Sequence, residues 1–309
     1  MSETTSGQTS GSTSGQGAPT RAGAIHDIGY RHYDGPRLGA RYIRRSLFIE
    51  TLRGAYGLGR SARSKIMPFL LLGVMVLPAV VIGIITSYVG LSSLPVAYTR
   101  YVVLLQLAVT IFLGSQSPAV MSRDLRFRVA SLYFSRPLSR RQYVQAKLAG
   151  MAVALFVLMG LPVTLLLCGA LLAELPLDEQ LPDYGRAMAG VAIYAVVLGG
   201  VGLLVAAMTP RRGLGVAAVV GVLLVLSGLQ LAVSGLAYSF GNDTFYAYTG
   251  LISPYTLVDG VVAGVLGAES SIGQAPPGAV GTLVFVAVTV LLVVVCYAAL
   301  VARYRRALS

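Results

Sequence analysis

An all-α fold that crosses a membrane several times follows from three observations on this 309-residue chain. Hydrophobic residues make up 55% and charged residues only 12%, with a mean hydropathy of +0.74, a balance that a water-exposed surface does not tolerate. The apolar residues gather in runs of about 20 or more, the length a helix needs to cross the hydrocarbon. Lys and Arg sort into some of the connections between these runs and acids into the others. Every backbone polar group in hydrocarbon must be satisfied locally, which makes helices the reading for runs this long.

Residues 1–36 hold Ser, Gly, Thr and Gln and little to bury, and read as a disordered tail ahead of a membrane domain over 37–309. No apolar run near the N-terminus looks like a cleaved signal, so the first span is expected to act as the targeting signal. The two histidines, His26 and His32, have no Cys or acidic cluster beside them at ligand spacing and read as surface residues. From Arg37 to Lys65, Arg residues are interleaved with Tyr42, Ile43, Leu47, Phe48, Ile49, Leu52 and Tyr56. That mixture suits a helix lying along a membrane surface, its Arg side chains snorkelling to headgroups. The apolar positions form no clean stripe and Gly54, Gly57 and Gly59 weaken a helix, so a solvated basic linker is the other reading.

Six spans are predicted, near residues 66–89, 99–121, 148–173, 187–208, 214–238 and 280–302. Apart from Arg100 and Arg186 at the opposite ends of spans, the basic residues lie before the first span, in 122–147, at Arg211-Arg212, or at Arg303, Arg305 and Arg306. The positive-inside rule makes those connections cytoplasmic, and an even number of spans brings both termini to the cytoplasm. Within the long connection 239–279, the apolar stretch 251–267 is interrupted by Pro254, Asp259 and several glycines. A seventh crossing there would carry Arg303, Arg305 and Arg306 outside, so a re-entrant or interfacial hairpin is expected.

The stretch 122–147 holds seven Lys or Arg residues against one acid, Asp124. Leu125, Val129, Leu132 and Tyr133 fall on one helical stripe, with Phe127 and Phe134 on roughly the opposite side. Ser122 can cap this helix, Asp124 sits in the first turn where the helix dipole favours an anion, and Pro137 stops it. Ser139-Arg140-Arg141-Gln142 then has the form of a capping box that opens the next helix. Two apolar faces suit a helix wedged between a membrane domain and a partner.

The short basic helix, then Ser135-Arg136-Pro137-Leu138-Ser139-Arg140, then Lys147 ahead of the third span, resembles the cytoplasmic loop of type-2 ATP-binding-cassette (ABC) transporter permeases. The six-span layout extends the resemblance over about residues 40–305. The family often has a Glu-Arg pair and a Gly early in this helix, where this chain has Arg123-Asp124 and Val129-Ala130. The resemblance implies a coupling helix seated in a cleft of a separate ATPase subunit. Its contacts there are expected from Asp124, Leu125, Arg126, Phe127, Arg128, Phe134, Arg136 and Arg140. Phe127 and Phe134 anchor it in the cleft while Leu125, Val129 and Leu132 hold the membrane domain, or the two faces are exchanged. The family also has an amphipathic elbow helix ahead of the first span and a hairpin before the last. It implies ATP and Mg on the partner with no cofactor in this chain, and pairing with a second copy or a homologous permease.

The rest of the sequence narrows the function. No phosphate loop of the Gly-x-x-x-x-Gly-Lys-Ser/Thr form is present, nor a nucleophile, base and orienter set, so the chain is not expected to be an enzyme. No ionisable residue lies mid-span, which disfavours proton- or ion-coupled transport. Gln106, Gln116 and Gln230 are polar exceptions that either line a translocation path or bind helices to one another. Pro78 and Pro162 are expected to kink their helices, and Cys168 and Cys296 read as small buried residues rather than a disulfide. The charge of +12 fits anionic lipid rather than nucleic acid, because the basic residues are dispersed among apolar runs. A preference for Arg over Lys points to a GC-rich bacterial genome, hence a bacterial cytoplasmic membrane. The expected function is the permease subunit of an ATP-driven exporter; the alternative is a membrane anchor that recruits a cytoplasmic partner without transport.

Overall fold

In the computed structural model the structure describes residues 35, 38–59, 61–121, 138–209, 212–271 and 275–306. The chain divides into two units, Met1–Arg37 and Leu38–Ser309, and only Gly35 of the first is described. The tail predicted at 1–36 is otherwise outside the described residues, as is the helix predicted after Ser122.

The described residues of the second unit are helical throughout their regular structure. In chain order they are α1 Ala40–Ala55, α2 Ala62–Val89, α3 Tyr98–Leu104, α4 Gln106–Val120, α5 Arg140–Leu172 and α6 Leu177–Met208. There follow α7 Arg212–Ser239, α8 Asp243–Tyr248, a 3-10 turn at Thr249–Leu251, α9 Pro254–Leu266 and α10 Gly278–Arg306. Five helices, α2, α5, α6, α7 and α10, are individually long and apolar enough to cross a membrane. Two further pairs qualify only together: α3 with α4, bent by 58°, and α8 with the 3-10 turn and α9, bent by 117°. The candidate spans therefore number five to seven among the described residues.

Each predicted span has a helix or bent pair at its place, but several helices start earlier than hydropathy indicates. At 33 residues, α5 is about 50 Å long against a hydrocarbon thickness of about 30 Å. Its polar first turns, from Arg140 to Lys147, therefore have room to stand outside the apolar slab. Ser139 opens it with the predicted capping box: Gln142 N donates to Ser139 Oγ at 3.3 Å, and Ser139 N donates to Gln142 Oε1 at 3.1 Å. Helices α2 and α5 continue through Pro78 and Pro162. The 58° bend in the run 99–121 falls at Leu105, more than ten residues before Pro118, the proline of that run.

Helix α1 departs from its sequence reading in a useful way. Its buried stripe is Leu47, Thr51 and Ala55, at i, i+4 and i+8, and one of the three is polar. Thr51 escapes a polarity penalty because its hydroxyl donates back to Leu47 O at 2.7 Å. That stripe packs on α5, where Thr51 lies over Gly150 so closely that a Cβ there would come within 2.7 Å of it. Tyr56, just after the helix, donates to Ala154 O at 2.8 Å. Burial pushes the Tyr56 phenol well up, so it remains a donor through the physiological range.

A backbone-to-backbone crossing joins α2 to α5. Gly83 and Gly169 meet backbone to backbone, and a Cβ on Gly83 would lie 2.9 Å from the Gly169 Cα. Ser87 Oγ donates to Leu172 O at 3.3 Å one turn further along both helices. Small residues allow this approach, and in lipid it is close packing that drives helix association.

End-to-end contacts sort the helix termini onto two faces. At one, which carries the 122–137 loop, Val120 meets Lys147, Met121 meets Tyr304, and Ala207 meets Arg303. At the far face, Tyr98 meets Gln180 and Thr99 meets Glu269. Helix α7 starts at the loop face, where Gly215 lies against Pro118 of α4, and α10 ends there at Tyr304. The segment between α7 and α10 thus leaves from and returns to the far face, and a 117° bend within it makes a hairpin of α8 and α9.

Candidate functional site at the base of the basic loop

The candidate site is built where the 122–137 loop joins the helices. Met121 and Leu138, the last described residues on either side, are both buried. Around them Tyr143, Val144 and Lys147 of α5 and Tyr304 of α10 are buried as well. These residues lie together because the first two turns of α5 carry 143, 144 and 147 at i, i+1 and i+4, which share one inward face. The Tyr304 hydroxyl lies 3.1 Å from Met121 Sδ, and the Tyr143 and Tyr304 rings sit 5.1 Å apart in a tilted arrangement.

Two cations act at helix C-termini here. Lys147 Nζ donates to Val120 O at 3.3 Å, at the last residue of α4, and lies 5.6 Å from the centre of the Tyr143 ring. Arg303 Nε donates to Ala207 O at 3.3 Å, near the end of α6. The last carbonyls of a helix lack intrahelical donors and carry the negative end of its dipole, so a cation there both satisfies and attracts. Lys147 thereby ties the start of α5 to the end of α4 across the loop that separates them, and Arg303 ties α10 to α6.

Of the residues expected to contact an ATPase, Asp124, Leu125, Arg126, Phe127, Arg128, Phe134 and Arg136 lie outside the described residues. Arg140 is described: it is the first residue of α5 and is exposed at the loop face, beside the buried cluster.

The three glutamines are not brought to one place. Gln106 is half-buried at the start of α4, and its main-chain oxygen accepts from the Tyr255 hydroxyl at 3.1 Å. Gln116 is buried and its Nε2 donates to Ser115 Oγ at 3.1 Å within its own helix. Gln230 is buried on α7. Helices α4 and α7 run antiparallel, with Pro118 beside Gly215 and Gly114 beside Val220. Gln116 accordingly lies near the loop face, and Gln230 lies roughly 15–20 Å further along α7, at 1.5 Å per residue.

A second polar constellation holds the hairpin to the broken span. Ser253 and Pro254 start α9 with a side-chain cap and an N1 proline. Tyr255 then reaches the bend at Leu105. Its hydroxyl donates to Gln106 O and lies 2.8 Å from Thr110 Oγ1, so Thr110 donates to the phenol oxygen. The Tyr194 hydroxyl of α6 donates to Tyr255 O at 3.0 Å, and Ser227 of α7 shares a hydrogen bond with Ser253 at 3.1 Å. Asp259, on the same hairpin helix, is 2% exposed; its Oδ2 accepts from Ser270 Oγ at 3.0 Å and Ser271 N at 2.9 Å. Sequence reading takes Asp259 as an interruption of the apolar stretch 251–267 and passes over Tyr255. The available signal was a carboxylate on an otherwise apolar helix, which is costly in a membrane protein unless it is held by hydrogen bonds.

Comparison with known proteins bears on the whole assembly. A sequence model of the family described as ABC-2 family transporter protein matches residues 129–307, which takes in every helix from α5 to α10 and the parts of both clusters that lie on them, but not Met121, Gln106 or Thr110. No curated protein matches the chain.

Proposed function

The chain belongs to the ABC-2 family of transporter membrane proteins, and from that premise we propose that it is the membrane half of an ATP-driven exporter. In this reading it has six spans, α3 and α4 forming one broken crossing and α8–α9 a re-entrant hairpin. The loop face and both termini are cytoplasmic, in a bacterial inner membrane. The segment after Ser122 is the coupling helix, docking in an ATPase subunit that carries the ATP and Mg, and α1 is the elbow helix. A second copy or a homologous permease completes the transporter.

The observation that carries this reading is the buried cluster at the base of the loop. A loop that only decorated a membrane surface would need no rigid mounting, whereas one that receives motion needs stiff connections to several spans at once. Met121, Leu138, Lys147 and Tyr304 supply them: displacement of the loop acts on α4, α5 and α10 together. Along α4 that displacement reaches the bend at Leu105, where Tyr255 links it to the hairpin. ATP-driven movement at the cytoplasmic face then has a continuous packed route to the far face. Lipid-like and amphiphilic substrates suit spans that lack mid-membrane charge.

The test is pull-down and ATP hydrolysis with the cognate ATPase, comparing Phe127→Ala/Phe134→Ala with wild type in one detergent. Truncating two buried aromatic anchors costs about 2 kcal/mol or more, roughly a thirtyfold loss of affinity. Weakened association with intact membrane insertion is the expected result. Unchanged association together with unchanged ATPase stimulation would remove the coupling role and leave the loop as a basic membrane-surface segment of an anchor protein.

A further inference from the structure

Going beyond that reading, we propose that a cavity at the far face is a binding site for a zwitterionic amphiphile, a molecule whose headgroup carries both an ammonium and an anionic group. The cavity measures about 570 Å³, within the range of small-molecule sites. Four separate parts of the chain enclose it: the connection after α2, the start of α3, the start of α6, and the segment returning from the hairpin.

The walls are held in place without a ligand. Tyr98 is 3% exposed, donates its hydroxyl to Gln180 Oε1 at 2.9 Å, and sets its ring edge-on to Tyr184 at 6.3 Å. Thr99 Oγ1 donates to Glu269 O at 3.4 Å. The next two residues after Glu269 are the ones that Asp259 grips, so the hairpin's buried carboxylate positions this wall of the cavity. Preformed walls reduce the ordering cost of binding.

The lining chemistry selects the ligand. Arg100 faces the same cavity as Asp183 and Glu269. Asp183 bonds Arg186 through Oδ1 at 2.7 Å but remains 60% exposed, which leaves acceptor capacity. Among the described residues, neither Arg100 nor the Glu269 carboxylate forms an ion pair. An anion alone would meet two carboxylates and a cation alone would meet Arg100; a headgroup carrying both charges satisfies each side. Leu94, Pro95, Val96 and Leu104 supply an apolar wall, and Leu104 is 56% exposed at the edge that continues into the span. An acyl chain leaving the headgroup along that edge would stay in hydrocarbon.

The experiment uses the purified full-length protein in maltoside detergent without any ATPase, so that its outcome is independent of the transporter reading. Binding is followed by native mass spectrometry for three probes: dihexanoyl phosphatidylethanolamine, dihexanoyl phosphatidylglycerol, which lacks the ammonium, and free phosphoethanolamine, which lacks the chains. The ethanolamine lipid should bind saturably and about tenfold more tightly than either of the others, the fold-change expected of losing a charge-assisted bond or the apolar contact. Glu269→Gln should remove the preference for the ethanolamine lipid over the glycerol lipid, Arg100→Gln should weaken both lipids about tenfold, and Asp243→Asn, an acid outside the cavity, should change neither. Both cavity positions are exposed, and unchanged elution and melting would show that the variants fold. Equal binding of the two lipids, or variants that bind like wild type, would overturn the site. Free phosphoethanolamine binding as tightly as the lipid would overturn the amphiphile assignment.

Discussion

Lys147 Nζ lies 3.3 Å from the carbonyl oxygen of Val120, so the first turns of α5 are fastened to the last residue of α4 across the loop that separates them. The lysine is 4% exposed and is stacked on the Tyr143 ring in the same cluster. One contact thus fixes the spacing of the two ends from which the basic loop emerges.

Replacing Lys147 by Met keeps the apolar stem and removes the donor. A buried carbonyl left without its partner costs about 1–3 kcal/mol. Lys147→Met should therefore lower the melting temperature of the detergent-purified protein. It should also reduce stimulated ATP hydrolysis by more than it reduces ATPase association, because the loop surface itself is untouched. Equal loss of both would mean that Lys147 shapes the docking surface directly.

The Gly83–Gly169 crossing leaves no room for a side chain. The obstructing atoms are backbone, which cannot swing aside as a flexible side chain would. Gly83→Ala and Gly169→Ala should each destabilise by about 1–3 kcal/mol, the cost of overpacking. Gly221→Ala, with nothing within 4 Å of the added methyl, is the matched control and should be neutral or slightly stabilising. The readout is the monodisperse fraction after heating, and equal behaviour of the three variants would refute the close approach.

Tyr255 and Thr110 form a hydrogen bond between hairpin and broken span, well suited to a double-mutant cycle. Tyr255→Phe and Thr110→Val should each be destabilising, and their coupling should be about 1 kcal/mol, near the upper part of the range for polar pairs in membrane proteins. Additive effects would indicate that the Tyr255–Thr110 bond does not position the hairpin.

Orientation is testable with single cysteines in a background lacking Cys168 and Cys296. Glu179→Cys, at the far face, should react with an impermeant thiol reagent added to intact cells. Ser139→Cys, at the loop face, should react only after permeabilisation. The opposite pattern would reverse the assignment of the loop to the cytoplasm.

Much of the architecture was legible in advance because its cause is local. Runs of apolar residues long enough to span hydrocarbon, with Arg and Lys sorted to alternate connections, place the crossings whatever packs against what. The capping box at Ser139 and Gln142 was legible for the same reason, since both partners lie within one turn. The stripe of α1 was missed because Thr51 counts as polar in a pattern but satisfies its own hydroxyl against Leu47 O. Similarly, Asp259 reads from sequence as no more than a break in an apolar stretch, because the groups that bind it, Ser270 and Ser271, lie beyond the end of its helix.

The sequence by itself determined that the chain is a multi-pass helical membrane protein with a strongly basic stretch at 122–147, because hydropathy and charge act residue by residue. Only the tertiary structure decided where the second span bends and what holds it there. Nothing in 99–121 singles out Leu105; the bend is met by a tyrosine hydroxyl about 150 positions away in sequence, between Gln106 and Tyr255. It also decided how far apart in depth Gln116 and Gln230 lie, since their separation depends on the antiparallel register of α4 and α7. Relationships of that kind arise from the crossing of distant helices, and no periodicity within a single segment encodes them.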